Sequence, residues 1–182
     1  MAGVKYNIIY ADPPWSYRSK HTGGSMKSGA SDKYPVLTVE QLCQFPINDI
    51  ADKDSVLFMW GTTPMLQEAL EVMKAWGYKY KTTLYWHKTG RLGLGYWARG
   101  EVEFVLMGIK GKVQAFRSTE TNFVEAPVRE HSEKPEEMRQ KIERMTVNMP
   151  DQRRIELFAR KKVAGWDAWG DQVESDLKLV IG

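Results

Sequence analysis

Residues 6–15 read YNIIYADPPW, a largely apolar stretch followed by an acid, two prolines and a tryptophan. The run Tyr6–Ala11 predicts a short buried strand. Residues 12–15 would then stand at the carboxyl end of that strand, which is where open α/β sheets bind their ligands. Strand and helix patterns alternate along the rest of the chain. The sequence therefore predicts an α/β fold with a mostly parallel central sheet and helices on both faces.

The groups at this strand end suit a flat base that carries an exocyclic amine. The Asp12 carboxylate accepts a hydrogen bond from an amine. Pro13 lacks an N–H and presents its carbonyl as a further acceptor, and with Pro14 it holds these acceptors in place. Trp15 can stack on the base, an interaction worth roughly 1–3 kcal/mol per base. The alternative is a proline-rich turn after a strand, with Trp15 in the core.

The composition limits the class of protein. A length of 182 residues suits one domain with a real core, so residues 1–182 are taken as a single domain. Because Cys43 is the only cysteine and the three histidines are scattered, we expect no internal disulfide and no metal site. The net charge of +3 is compatible with a polyanion partner. No apolar run approaches the length of a membrane span, so we expect a cytoplasmic protein.

The middle of the chain predicts a strand, a helix and a strand. Residues 56–60 form a continuous apolar run, typical of a strand buried on both faces. Thr63 and Pro64 predict the N-cap and first turn of a helix that ends at Gly77. Residues 80–86 predict the next strand. This order favours parallel strands covered by helices.

Shorter signals predict the remaining elements. Thr38 with Gln41 resembles a capping box that opens a short helix. Three further elements are expected: a strand at 103–109, a helix from Pro135 to Met145, and a strand at 154–158. Three segments are expected to be irregular: residues 111–126, the loop 165–171, and the last residues, which suit a surface tail or short helix.

Two basic, glycine-containing stretches are predicted to be mobile loops. Residues 16–33 follow Trp15 directly, so they can act as a lid or meet phosphates. The alternative for them is a solvated linker without a role. Residues 88–101 form the second stretch, which includes Lys88 and Arg99. Both stretches are candidates for holding a nucleic-acid backbone.

Two later motifs are candidates for binding a cofactor. Lys134 stands just before a helix whose first residue is Pro135, and a cation beside free backbone N–H groups binds carboxylates or phosphates. An ordinary capped helix with an exposed lysine is the alternative. Residues 155–172 lead from an apolar strand into polar residues and glycines, which suits a nucleoside cofactor lying across a strand end. The alternative is a core strand followed by an aromatic-rich loop.

Taken together and in this order, the motifs resemble one family. The five motifs are Asp12–Trp15, Trp86–Thr89, Gly95–Gly111, His131–Pro135 and Ile155–Gln172. They resemble the MT-A-seventy-like adenine N6-methyltransferases over nearly the whole chain. The resemblance implies a Rossmann-like methyltransferase fold with a permuted motif order that uses S-adenosylmethionine. Bacterial and phage members of the family modify adenine in DNA.

The resemblance also implies roles for individual residues. The catalytic motif would be Asp12, Pro13, Pro14 and Trp15. The cofactor would be bound by Asp12, Lys134, Phe158, Arg160, Asp171 and Gln172, with Lys134 meeting its methionine carboxylate. The substrate would be bound by Tyr34, Trp60, Trp86, Lys88, Arg99 and Glu103. Two departures bear on cofactor binding: Asp171 stands where familiar members have asparagine, and Lys161-Lys162-Val163 replaces a histidine–asparagine pair.

We therefore predict transfer of a methyl group from S-adenosylmethionine to the N6 amine of adenine in DNA. The same reaction on RNA is the alternative substrate, and the absence of an RNA-binding module in this sequence tilts the prediction toward DNA. A catalytically silent partner subunit that binds nucleic acid is the alternative class. The intact motif 12–15 speaks against it. A homodimer or a partner subunit is a possible source of added specificity.

Overall fold

The computed structural model describes residues 3–16, 36–90, 93, 95, 97–129 and 133–179. In chain order, the strands of this part are β1 (Tyr6–Ala11), β2 (Ala51–Gly61), β3 (Lys79–Thr89), β4 (Val102–Lys110), β5 (Phe123–Pro127), β6 (Arg154–Leu157) and β7 (Asp167–Trp169). The helices are α1 (Val39–Cys43), α2 (Leu66–Ala75) and α3 (Glu136–Met145), and two 3-10 turns cover Ile47–Asp49 and Thr63–Met65.

The described strands form one sheet in the order β5-β3-β4-β2-β1-β6-β7. β4 runs antiparallel to both of its neighbours, and every other adjacent pair is parallel. The carboxyl ends of the parallel strands therefore meet at one edge of the sheet, together with the amino end of β4. We call this the carboxyl edge.

Helices cover both faces of the sheet, which confirms the predicted fold class. Side chains alternate between the faces along each strand. Ile9 and Leu57 belong to the core beneath α1 and α2, whereas Tyr10 and Phe58 belong to the core beneath α3. Trp76, the C-cap of α2, is fully buried and donates its indole N–H to the Leu42 carbonyl of α1, so it joins the two helices.

The bounds predicted for β1 match the observed bounds, but those predicted for several other elements do not. β2 begins at Ala51, five residues before the apolar run starts, because its polar first half also pairs with neighbouring strands. The segments predicted to be irregular, 111–126 and 165–171, include most of β5 and all of β7, two short strands that form through parallel pairing with β3 and β6. Such pairing leaves no strong local pattern in so few residues.

The helix predicted from Thr63 begins later than expected. Residues 63–65 form a 3-10 turn with Thr62 as its N-cap, and α2 starts at Leu66. The end was predicted correctly, since Gly77 follows the helix with φ of 83°. The last described residues contain turns and bends and no helix.

The capping box at α1 is confirmed and predicts a stability effect. Thr38 Oγ1 accepts the Gln41 N–H at 3.2 Å, and the Gln41 side chain accepts the Thr38 N–H at 2.9 Å. Thr38→Ala should therefore lower the free energy of unfolding by about 1 kcal/mol, measured by urea denaturation. Thr63→Ala, at an exposed threonine that is not the N-cap, is the matched control and should stay within about 0.5 kcal/mol. Equal losses would contradict the role of the cap.

Glu120 connects the segment before β5 to α3. Its carboxylate accepts hydrogen bonds from Arg144 Nε at 2.6 Å and from Lys141 Nζ at 2.9 Å. These bonds, first from Arg144 and then from Lys141, lower the pKa of Glu120 from 4.5 to about 2. The ionised carboxylate is thus favoured in the folded chain, so its contribution to stability is present above pH 4.5 and is lost as the pH falls toward 2.

Glu120→Gln should consequently lower stability in a pH-dependent way. We expect a loss of about 1 kcal/mol or less at neutral pH, because the pair is partly solvated, and the difference from wild type should vanish toward pH 2. Urea denaturation at several pH values measures this difference. A loss that is independent of pH would show that Glu120 acts through packing and not through its charge.

Candidate functional site

Strand alternation brings the predicted site residues to one face at the carboxyl edge. Asp12 follows β1 with the parity of Tyr10, and Trp60 lies on the same, α3-covered face near the end of β2. Trp86 of β3 pairs in register with Glu103 of β4. Because β4 is antiparallel, its second residue lies beside the end of β3. Four segments far apart in the sequence therefore converge here.

The centre of the site is a chain of four charges. Lys134 Nζ lies 3.5 Å from Asp12 Oδ1 and 3.3 Å from Glu103 Oε2. Lys88 Nζ donates to Glu103 Oε1 at 3.3 Å. Each of these side chains is only about one-fifth exposed, between 18% and 22%. Two carboxylates and two ammonium groups thus balance one another in a partly desolvated cluster.

The charges act on Lys134 in opposite directions. Burial lowers the pKa of Lys134, but the carboxylates of Asp12 and Glu103 outweigh this effect and leave the pKa above its ordinary value. The ammonium group therefore stays charged. Glu103 Oε2 is buried and, among the described residues, lacks an aligned hydrogen-bond donor despite its ion pair with Lys134. This oxygen remains an acceptor for an incoming N–H group.

Two tryptophans form the floor of the site. Lys134 Nζ lies 5.3 Å from the ring centroid of Trp60, within the range of a cation–π interaction. Trp86 meets Trp60 edge to face at a centroid distance of 6.0 Å. The indole N–H of Trp60 donates to the Tyr10 hydroxyl at 2.6 Å, and that of Trp86 donates to the Ala126 carbonyl at 2.9 Å. Both rings are therefore fixed by hydrogen bonds.

The structure places Trp15 in the core. The side chain is 7% exposed and its indole N–H donates to the Trp60 carbonyl at 3.2 Å. This placement favours the core interpretation over stacking on a base, because little of the ring can be reached. The Pro13 carbonyl accepts the Trp15 N–H at 2.9 Å, and the Pro14 carbonyl accepts the Leu37 N–H at 3.0 Å. The two carbonyls each keep one lone pair.

The end of β6 supplies the predicted cofactor residues. Phe158 has φ of 59° and turns the chain at this end, while its half-buried ring packs against Phe45 and Trp169. Arg160 is exposed, and its charge acts against protonation of Lys134. Asp171 and Gln172 are exposed and follow β7 at the same edge. The structure thus brings these residues to one side of Asp12 and Lys134.

Two predicted substrate-binding residues are not among the side chains that the structure brings together here. Tyr34, like nearly all of the loop 16–33, is outside the described residues. Arg99 is exposed in the connection between β3 and β4. Sequence reasoning did not single out Tyr10, although it lies two residues before Asp12 in a strand and must therefore face the same way.

The described residues contain no group of three or more histidine, cysteine, aspartate or glutamate side chains able to hold a metal ion. None of their helices combines the length and apolar character needed to cross a membrane.

The described residues form a mostly parallel sheet with helices on both faces, and the acid–proline–proline segment follows the interior strand β1, as in a Rossmann-like methyltransferase fold. The family model of MT-A70 matches residues 6–172. The chain belongs to the MT-A70 family.

Individual relatives differ in how much of their length is matched. The chain is 35% identical to the type II methyltransferase M.MunI of Mycoplasma sp, across 97% of the chain and 81% of that protein. It is 34% identical to a putative N(6)-adenosine-methyltransferase MT-A70-like protein of Medicago truncatula, across 97% of the chain and 28% of that protein. Identity to the human N(6)-adenosine-methyltransferase catalytic subunit METTL3 is 29%, across 93% of the chain and 28% of that protein. The chain therefore spans most of the first relative and about a quarter of the other two.

Proposed function

We propose that this protein transfers a methyl group from S-adenosylmethionine to the N6 amine of adenine in DNA. The observation that carries the proposal is the partly buried Asp12 carboxylate, held at a strand end beside the Lys134 ammonium and the acceptor oxygen of Glu103. An acid in this position can accept from an exocyclic amine, and a nearby cation can hold a carboxylate-bearing cofactor.

The residues at the carboxyl edge suit this cofactor, which supplies a methyl group on a positively charged sulfonium when bound. Lys134 pairs with Glu103 at 3.3 Å and with Asp12 at 3.5 Å, and from this position its ammonium group would meet the methionine carboxylate. Phe158 and Arg160 follow β6 and would line the nucleoside. Asp171 and Gln172 follow β7, where Asp171 accepts from ribose hydroxyls.

Asp12 and Pro13 would prepare the amine for attack. The lone pair of the adenine amine is delocalised into the ring, which makes it a poor nucleophile. Hydrogen bonds from the amine to Asp12 Oδ and to the free lone pair of the Pro13 carbonyl would draw it out of conjugation. The catalytic contribution is then orientation and electrostatic stabilisation. The amine proton can leave after attack, so Asp12 need not act as a strong base.

The other site residues would position the base. Glu103 Oε2 is a buried acceptor that can fix an N–H of the bound nucleoside. Trp60 and Trp86 would support the pocket wall, and Trp15 would stabilise the strand end from the core. Tyr34, Lys88 and Arg99 are proposed to contact the nucleic acid. In a duplex the adenine must leave the base stack, which costs a few kcal/mol.

DNA is the proposed substrate because the chain spans most of the length of its bacterial relative, M.MunI, and because bacterial members of the family modify DNA. The N(6)-adenosine-methyltransferases are matched over about a quarter of their length. A second copy or a partner subunit would be a source of added sequence specificity.

The test is transfer of labelled methyl from S-adenosylmethionine to matched DNA and RNA oligonucleotides, followed by nucleoside analysis. N6-methyladenine in DNA supports the proposal. Labelled methyl found only in RNA would contradict DNA as the substrate but would still support methyl transfer to adenine. Cofactor binding without transfer to either would contradict activity of the isolated chain and favour a partner-dependent or silent subunit. The absence of cofactor binding would contradict the proposal as a whole.

A further inference from the structure

Tyr10 lies directly behind the site and touches the residue that supports Lys134. Its side chain is 3% exposed, and its hydroxyl accepts the indole N–H of Trp60 at 2.6 Å. A buried indole N–H without a partner is costly, so this bond selects one orientation of the Trp60 ring. Trp60 in turn lies beneath the Lys134 ammonium.

Tyr10 is itself held in place by α3 and the sheet. The Arg139 guanidinium lies 5.8 Å from the centroid of the Tyr10 ring, and Trp166 packs against the ring at 5.9 Å. Arg139, which is 5% exposed, binds Glu136 at 2.6 Å and Glu156 at 2.5 Å. Since Glu156 pairs in register with Tyr10 on the neighbouring strand, the tyrosine is enclosed by charged groups that bind one another.

This enclosure reaches the first turn of α3, which begins two residues after Lys134. Glu136 is the first residue of α3, and Arg139 joins it to β6. The start of α3 is therefore tied to β6 close to Lys134 in the chain, while the Lys134 ammonium group contacts the Trp60 ring. Tyr10 contacts both of these connections, because its ring lies beside Arg139 and its hydroxyl binds Trp60.

We propose that Tyr10 is a positioning residue, which sets the orientation of Trp60 and thereby places the Lys134 ammonium between Asp12 and Glu103 for cofactor binding. The tyrosine reaches neither cofactor nor base and acts through the indole. The inference rests on the proposed function for the ligand that Lys134 binds. The contacts from Tyr10 through Trp60 to Lys134 involve no ligand and can be tested in the protein alone.

Tyr10→Phe tests the proposal because it removes only the hydroxyl. We expect the KM for S-adenosylmethionine to rise about tenfold, the effect of losing roughly one hydrogen bond, with kcat changed less than about threefold. Tyr78→Phe is the matched control. Tyr78 is 4% exposed and its hydroxyl bonds Ser55 at 2.8 Å, at the opposite edge of the sheet. The control should lose comparable stability in urea denaturation without a change in KM.

A spectroscopic readout separates this inference from the proposed function. In the cofactor-free protein, Tyr10→Phe should shift the indole N–H resonance of Trp60 upfield and move the side-chain carbon resonances of Lys134, whereas Tyr78→Phe should move neither. Unchanged Lys134 resonances would overturn the proposal, even if the wild-type chain bound no cofactor. Lack of cofactor binding by wild type would overturn the proposed function alone.

A double variant gives a second route to the same conclusion. Trp60→Phe removes the indole N–H that Tyr10 accepts, so Tyr10→Phe should add less than about twofold to KM in that background. Fully additive effects of the two substitutions would show that Tyr10 does not act through Trp60. Equal kinetic effects of Tyr10→Phe and Tyr78→Phe would show that Tyr10 acts only as a core residue and has no specific role in placing Lys134.

Discussion

Asp12→Ala should abolish methyl transfer and leave cofactor binding largely intact. The proposed hydrogen bond from the adenine amine to Asp12 forms where charge changes during the reaction, and such groups contribute about 10²–10³-fold or more to the rate. The carboxylate lies 3.5 Å from Lys134, a partly solvated pair whose loss should change the dissociation constant for S-adenosylmethionine by no more than about fivefold. Labelled-methyl transfer and calorimetric titration of the cofactor measure the two effects.

Asp52→Ala is the matched control for this experiment. Asp52 is 24% exposed and pairs with Arg153 at 2.8 Å, while Asp12 is 22% exposed and pairs with Lys134. Both variants thus remove a partly buried, ion-paired aspartate, but Asp52 lies near the start of β2, at the opposite edge. The control should keep its activity. Activity of Asp12→Ala near that of wild type would contradict the proposed mechanism.

Lys134→Met should weaken binding of S-adenosylmethionine by about 10- to 100-fold, the range for a hydrogen bond to a charged group. Methionine keeps the length of the apolar stem and removes the ammonium group. The variant also leaves Asp12 and Glu103 with one fewer positive charge between them, which raises the cost of placing the cofactor carboxylate nearby. Calorimetric titration of the cofactor measures the change directly.

Lys110→Met is the corresponding control. Lys110 Nζ lies 5.8 Å from the ring centroid of Tyr78 and donates to the side chain of Asn48, so it resembles Lys134 in lying over a ring with a polar partner. It ends β4 at the edge opposite the site. Cofactor binding should be unchanged in this variant. Equal weakening by both substitutions would point to a general effect of charge or folding and would remove Lys134 from the binding site.

These two variants separate chemistry from binding. Asp12→Ala is expected to change the rate and Lys134→Met the affinity, although the two side chains touch. A loss of cofactor affinity in both variants would mean that the ion pair between them is part of the binding site. The proposed division of roles would then be replaced by a shared one.

Much of the fold could be predicted because its signals are local. The buried strand Tyr6–Ala11 is apolar except for Asn7, and the capping box of Thr38 and Gln41 needs only four residues. The acid and prolines that follow β1 could be placed at a ligand-binding edge because a strand in an open α/β sheet carries its site at the carboxyl end. β5 and β7 escaped prediction because they depend on pairing with β3 and β6.

The sequence by itself determined the class of fold, the strand end that carries Asp12, and the resemblance to a methyltransferase family, since each depends on residues adjacent in the chain or on motif order. Only the tertiary structure decided that Lys134 lies between Asp12 and Glu103, that Trp15 is buried, and that Tyr10 binds Trp60. These contacts join residues 31 to 122 positions apart: 103 to 134 and 12 to 134. Strand order and the direction of β4 bring these distant positions of the chain together, and no local sequence pattern specifies either of them.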